Sequence, residues 1–146
     1  CFADPGLLAL REVMKAPVVG ILEAALHEVC LRERRFSIMS SCGSEDIAAF
    51  HESVRKYGFE SRLASVRCLN VGVEGVDESI LDKMKEICRK CFIEDGATGI
   101  ILGCAGFAGY GRRLTKELGF FVTDGLQASL YMAKAMAEKQ ASLLKQ

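Results

Sequence analysis

The apolar residues of this chain fall into short runs with two alternating periods, and this alternation constrains the fold most strongly. Runs typical of β-strands occur at RFSIMS (35–40), RLASVRCLNV (62–71), TGIILG (98–103) and FFVTDG (120–125). Longer segments with helical spacing lie between them. Because strands that alternate with helices form βαβ units, we predict an α/β fold with a mostly parallel sheet, arranged as a three-layer, flavodoxin/Rossmann-like lobe.

Capping residues mark the predicted helix ends. Asp4 and Pro5 are typical of an N-cap and a first helical residue, because proline lacks the amide that a helix start leaves unpaired. Ser44 is placed to cap the helix that runs to Tyr57. Three helices are predicted to end at a glycine, namely the one from Ser44 at Gly58, the one from about Asp77 at Gly96, and the next one at Gly119.

Composition excludes several classes of function. Basic and acidic residues number 19 each and are scattered, which disfavours a nucleic-acid or membrane surface. No run of about 18 apolar residues is present for a bilayer span, and the first residues lack the order of a signal peptide. Seven irregularly spaced cysteines indicate reduced thiols rather than a disulfide framework. We therefore expect a cytoplasmic protein with a small-molecule partner, and homo-oligomer formation is left open.

A faint internal repeat is the second constraint. VVGILEAAL (18–26) and VTDGLQASL (122–130) align without gaps at an offset of 104 residues. Cys1 and Cys104 precede these segments by 17 and 18 residues. The order of cysteine, helix, short extended piece and helix therefore occurs twice. If the repeat is real, the body of its first copy, roughly 70 residues, precedes Cys1, and the chain is a fragment.

The repeat predicts two pseudo-symmetric lobes, of which the first is incomplete. We interpret residues 1–17 and 121–146 as remnants of the first lobe. Residues 18–120 are then the second α/β lobe.

The two cysteines are the candidates for chemistry. Cys104 follows a buried strand and precedes a helix, and Cys1 does so by analogy, so unpaired helix amides would favour the thiolate. In open α/β sheets such strand-end turns bind ligands. Two thiols that face each other across a cleft suit a reaction in which one removes a proton beside a carbonyl and the other returns one. The alternative is that each cysteine is only a small buried residue.

Five segments resemble the hydantoin and allantoin racemase branch of the aspartate/glutamate racemase superfamily: CFADPGL, PVVGILEAAL, SIMSS, LGCAGFA and VTDGLQAS. The resemblance extends from Cys1 to the final helix. It implies a two-lobed, pseudo-twofold α/β enzyme without cofactor or metal, in which Cys1 and Cys104 are the two proton carriers. It also implies substrate contacts from the hydroxyls or backbone of five residues, namely Phe2, Ser40, Ser41, Ala105 and Gly106.

Two motifs found around the cysteines in another branch of the superfamily are absent here, and this absence narrows the class of substrate. The branch that acts on free aspartate or glutamate is expected to show C-N-T and G-C-T-H around its cysteines, and neither motif is present. The resemblance therefore implies a cyclic ureide, either a 5-substituted hydantoin or allantoin. Phe107 stands where relatives frequently have methionine, which bears on the shape of the pocket.

The remaining candidate residues have structural interpretations. Cys88 and Cys91 form a C-x-x-C inside a helix without a histidine nearby, so no metal site is expected. Cys42 follows the two serines and is a candidate reactive bystander. Glu23 is placed to reach the cleft from its helix start, but the repeat puts Gln127 in the equivalent position, which favours a structural role.

Two further functions stay open. One is a related enzyme that uses a single thiol, such as an arylmalonate decarboxylase or a maleate cis-trans isomerase, in which only one cysteine is essential. The other is a non-catalytic α/β module that binds a ligand with both thiols in their ordinary state.

Overall fold

A computed structural model describes residues 1–72, 74–75 and 78–144. Within these residues four strands alternate with helices, as predicted. The strands are β1 (Phe36–Ser40), β2 (Leu63–Cys68), β3 (Gly99–Leu102) and β4 (Phe121–Asp124). The helices are α1 (Leu7–Val13), α2 (Ile21–Arg32), α3 (Ile47–Lys56), α4 (Leu81–Ile93), α5 (Tyr110–Leu118) and α6 (Gly125–Leu143).

The four strands form one parallel sheet in the order β2-β1-β3-β4. Side chains alternate between its faces, since Ile38 and Ile101 pack with residues of α2 and α3, whereas Met39 and Leu102 pack with residues of α4 and α5. Every residue of β1 and β3 is buried, as expected for central strands covered on both faces. The predicted three-layer α/β fold is confirmed.

The helix ends are only partly as predicted. Gly119 caps the end of α5 with φ of 78°, a conformation that favours glycine. The cap predicted at Asp4 is wrong, because α1 starts after Gly6 and the Asp4 carboxylate bonds to the first amides of α2 instead. The cap predicted at Ser44 is also wrong, because one turn of 3-10 helix, Ser44–Asp46, precedes α3 without a side-chain cap.

The helix predicted from about Asp77 has its proposed start outside the described residues. Its described part begins with a 3-10 turn, Glu78–Ile80, and continues as α4. Among the described residues, no helix is both long and apolar enough to cross a bilayer.

The predicted lobe boundary after residue 120 does not coincide with an edge of the sheet. Ile100 pairs with Val122 and Leu102 with Asp124, so β4 extends the sheet that contains β1 and β3. The assignment of residues 1–17 to one lobe and of residue 121 onwards to the same lobe stays a prediction.

The two segments of the sequence repeat pack against each other, since α2 lies along α6. Ile21 and Gly125 are equivalent under the offset of 104, and they touch: a Cβ on Gly125 would overlap the Ile21 side chain. Two equivalent positions that meet are what a local twofold axis between repeats requires.

A polar network fastens the outer strand β2 to the end of α4. Arg67 donates to both oxygens of Asp95 at 2.7 and 2.8 Å and to Glu94 at 2.7 Å. Ser65 donates its hydroxyl to Asp95 at 2.5 Å. The Arg67 guanidinium, against the cost of burial, lowers the pKa of Asp95. The charged form of Asp95 therefore stabilises the fold.

We expect Asp95→Asn to lower the free energy of unfolding at pH 7 by about 1.5–3 kcal/mol, the range for hydrogen bonds to a charged group. A lowered pKa in the folded state gives stability that is present above the ordinary value of about 3.9 and lost as pH falls through the folded value. The difference between wild type and variant should therefore shrink as the pH falls below about 4. Urea unfolding measures it, with the exposed Asp82→Asn as control. A difference that stays constant down to pH 2 would contradict the assignment.

Candidate active site

The two candidate cysteines open turns with the same hydrogen bond. The amide of Asp4 donates to the carbonyl of Cys1 at 3.2 Å, and the amide of Phe107 donates to the carbonyl of Cys104 at 3.0 Å. We name residues 1–6 the first cysteine turn and residues 104–109 the second cysteine turn. The equivalent bonds support the repeat that the sequence indicates.

Each cysteine turn ends five residues later at a glycine that starts a helix. Gly6 precedes α1 with φ of 75°, and Gly109 precedes α5 with φ of 88°. This left-handed conformation is uncommon for other residues, so both turns need glycine at this point. The two turns therefore share their first hydrogen bond and their final glycine, although Asp4 has φ of 50° where its counterpart Phe107 lies in a 3-10 turn.

The second cysteine turn is anchored to the centre of the sheet. Gly103 follows β3 and donates its amide to the carbonyl of Met39 at 2.7 Å, which continues the pairing with β1. A Cβ on Gly103 would lie 2.7 Å from the Ile38 side chain, so glycine is needed for this approach. A single 3-10 turn, Ala105–Phe107, directly follows Cys104, and α5 begins only at Tyr110, after the glycine-rich turn.

Cys1 and Cys104 line the same cavity, which has a volume of about 250 Å³. Cys1 is exposed and Cys104 is half-buried. The lining comprises residues from the two turns, the start of α2, the end of β1 and one side of α3: Cys1, Phe2, Ala3, Leu22, Cys42, Asp46, Ala49, Phe50, Ser53, Gly103 and Cys104. The structure thus brings together the two thiols that the sequence paired.

The wall formed by α3 was missed by the sequence analysis. Its members are Asp46, Ala49, Phe50 and Ser53. They recur at i, i+3, i+4 and i+7, which is one face of a helix, so the spacing after the strand end could have identified them. The Phe50 ring packs against that of Phe2 with centroids 5.9 Å apart. This contact joins α3 to the first cysteine turn.

The predicted substrate-contact residues are placed differently from one another. Phe2 lines the cavity, whereas Ser40 and Ser41 are fully buried, Ala105 and Gly106 are exposed, and these four residues are not part of the lining. The Ser40 hydroxyl accepts the amide of Cys42 at 3.1 Å, and the Ser41 hydroxyl has no hydrogen-bond partner among the described residues. Direct contact of any of the five residues with a substrate stays a prediction.

A third thiol, that of Cys42, also lines the cavity. Its neighbour Cys68 at the end of β2 donates to the carbonyl of Gly43 at 3.2 Å. Burial, followed by the negative charge that Cys42 would carry, raises the pKa of Cys68. Cys68 is therefore held as a thiol, as expected for a structural cysteine.

The charges around the cavity are few. Asp46 is the carboxylate in the lining, and no arginine or lysine lines the cavity among the described residues. Glu23 lies away from the lining and pairs with Arg11. The structural role favoured for Glu23 is thus consistent with its contacts.

No group of three His, Cys, Asp or Glu side chains suited to a metal ion occurs in the described part of the chain. Cys88 and Cys91 are buried in α4. Burial raises their pKa values to about 12 and about 11. Both side chains are therefore held as thiols within the core.

The sequence and the fold of this chain are similar to those of known proteins. A hydantoin racemase of Paenarthrobacter aurescens is 40% identical over 139 residues, which cover 93% of this chain and 58% of that protein. A hydantoin racemase of Rhizobium meliloti is 38% identical over 142 residues, with coverage of 93% and 57%. The solved structure of an allantoin racemase from Klebsiella pneumoniae matches with a TM-score of 0.87 at 34% identity, over 96% of this chain and 58% of that one.

The chain therefore spans somewhat more than half the length of the relatives that it matches. The family model of Asp/Glu/Hydantoin racemase matches residues 1–133, which include both cysteine turns and the start of α6. The chain belongs to the Asp/Glu/Hydantoin racemase family.

Proposed function

We propose that the intact protein is a cofactor-independent racemase of 5-substituted hydantoins or of allantoin, with Cys1 and Cys104 as its two proton carriers. The observation that carries this proposal is that both thiols, 103 residues apart in the sequence, line one cavity of about 250 Å³ from two turns with the same first hydrogen bond and final glycine. Family membership and the identity to hydantoin racemases support it.

The proposed reaction needs no change in oxidation state. One cysteine acts as thiolate and takes the proton from the ring carbon beside the carbonyl, so the C–H electron pair moves into an enolate. The other cysteine acts as thiol and gives its proton to the opposite face of that carbon. The enantiomer is formed, and the two cysteines have exchanged protonation states. In the reverse direction their roles are exchanged, which is why two equivalent turns suit the reaction.

The enolate oxygen needs hydrogen-bond donors in this scheme. The first amides of a helical turn have no acceptor within that turn, so the N–H groups of Ala105 and Gly106 are suited to this oxygen. Phe2 occupies the corresponding place in the first cysteine turn. We keep these three residues as proposed backbone contacts, and Ser40 as a residue that orients the amide of Cys42.

The cavity favours a small, uncharged ring. Its volume of about 250 Å³ lies just below the range of about 300–1,000 Å³ for typical ligand pockets. Its lining is mostly apolar, and among the described residues it offers no cation for a substrate carboxylate. A cyclic ureide can bind through its amide and carbonyl groups alone, whereas a free acidic amino acid would leave two carboxylates unpaired.

We expect Cys1→Ala and Cys104→Ala each to lower the racemisation rate by about 10²–10⁴-fold, the usual contribution of a positioned acid or base. Polarimetry with enantiomerically pure 5-substituted hydantoins and with allantoin measures this rate. Cys30→Ala is the matched control, because Cys30 lies on α2 outside the cavity lining. Full activity of both cavity variants would rule out the proposal. Loss of activity in only one of them would favour a single-thiol enzyme.

The two thiols should also differ in which enantiomer they serve. In heavy water, Cys1→Ala should still exchange the α-hydrogen of the enantiomer that faces Cys104, because that thiolate can remove and return a proton on one face. Exchange from the other enantiomer should be lost, and Cys104→Ala should show the opposite preference. Proton NMR of each enantiomer gives the two initial rates. If both variants lose exchange from the same enantiomer, the two-sided assignment is wrong.

A further inference from the structure

The carboxylate of Asp4 joins the first cysteine turn to the start of α2. Asp4 has φ of 50°, which is uncommon for a residue other than glycine. One carboxylate oxygen accepts the amides of Ile21 and Leu22 at 2.6 and 3.2 Å. The other accepts the amide of Glu23 and the hydroxyl of Tyr57, both at 2.9 Å. The first three amides of α2 are therefore bound by one side chain from the turn that carries the thiol.

The start of α2 has no capping side chain of its own. Its N-cap residue is Gly20, and a Cβ there would overlap the Asp4 carboxylate. Tyr57 stays protonated as a donor, because burial and the bond to Asp4 both raise its pKa. Gly20 thus leaves free the space that the Asp4 carboxylate occupies at the start of α2.

A carboxylate also joins the second cysteine turn to α6, but this carboxylate belongs to the helix start and not to the turn. Asp124 is the N-cap of α6, and one of its oxygens accepts the amide of Gln127 at 2.9 Å. Its other oxygen accepts the amide of Gly109 at 3.2 Å, at the end of the second cysteine turn. Here the helix start supplies the carboxylate and the turn supplies the amide.

The repeat relates these two arrangements. Gly20 corresponds to Asp124 at the offset of 104, and Gly6 corresponds to Gly109 at the offset of 103 between the cysteines. In each copy one carboxylate connects a cysteine turn with the start of a helix, α2 or α6. Neither Asp4 nor Asp124 lines the cavity.

We propose that Asp4 and Asp124 are paired positioning residues, each of which holds one thiol at its side of the cavity. This inference rests on the proposed racemase function. A thiol that is displaced by about 1 Å can cost about 10²-fold in rate, even when the change lies outside the reacting groups. Each aspartate should therefore affect mainly the half-reaction of its own thiol.

The test compares Asp4→Asn and Asp124→Asn in the intact protein. Asn keeps the shape but places an NH₂ group where one carboxylate oxygen accepts hydrogen bonds. We expect kcat to fall by about 10–100-fold with little change in KM. In heavy water, Asp4→Asn should slow α-hydrogen exchange from the same enantiomer as Cys1→Ala, and Asp124→Asn from the same enantiomer as Cys104→Ala. A purely structural defect would slow both enantiomers equally.

A transplant of the carboxylate gives a second, independent measurement. Asp4→Gly suits the positive φ but removes the bonds to α2, whereas Gly20→Asp alone puts two carboxylates in one place. The double variant, Asp4→Gly with Gly20→Asp, reproduces the arrangement at Asp124. We expect Asp4→Gly alone to lower kcat by about 10–100-fold, as for a misplaced thiol. The double variant should have a kcat about 10-fold higher than that of Asp4→Gly.

Asp82→Asn is the matched control, because its side chain is 95% exposed and lies outside the cavity. Equal slowing of both enantiomers by Asp4→Asn and Asp124→Asn would overturn the inference, as would unchanged kinetics in both variants or a double variant no faster than Asp4→Gly. Those outcomes would leave the racemase proposal standing. A wild-type protein that does not racemise its substrates would overturn the proposed function, and this inference with it.

Discussion

The pairing of β1 with β3 at the centre of the sheet is the constraint on which the rest of the structure depends. Both strands are fully buried, and their parallel register continues to the bond between Gly103 and Met39. Because parallel strands end at the same edge of a sheet, Cys42 and Cys104 emerge side by side. The position of the cavity is thus set by strand register, and the short turns after the strands decide only the local geometry of the thiols.

The charges near the thiols are arranged to leave the cavity itself almost uncharged. Asp4 and Asp124 bond to residues of the cysteine turns or to the helices beside them, but neither side chain lines the cavity. Instead, both carboxylates accept backbone amides at helix starts, where the helix dipole offsets a negative charge. Each aspartate therefore connects a cysteine turn with a helix start while its charge is balanced by the helix dipole.

Much of the fold and part of the site could be predicted from the sequence, because both depend on local patterns. The strands follow from apolar periodicity, and the two cysteine turns follow from the repeat. The contacts of Asp4 could not be predicted, since its partners on α2 lie 17 to 19 residues away, Tyr57 lies 53 residues away, and a local N-cap was the simpler interpretation. The burial of Ser40 and Ser41 and the pairing of β4 with β3 likewise depend on tertiary packing.

The contact between Ile21 and Gly125 has a consequence for how two copies of one sequence diverge. A residue on a local twofold axis faces its own counterpart, so the space for the two side chains is shared. Two isoleucines would force the helices apart, and two glycines would leave a void between them. In this chain a large residue in one segment and glycine in the other fill the shared space, so the two segments differ at this position. This difference allows α2 and α6 to pack closely, and each of these helices begins beside one cysteine turn.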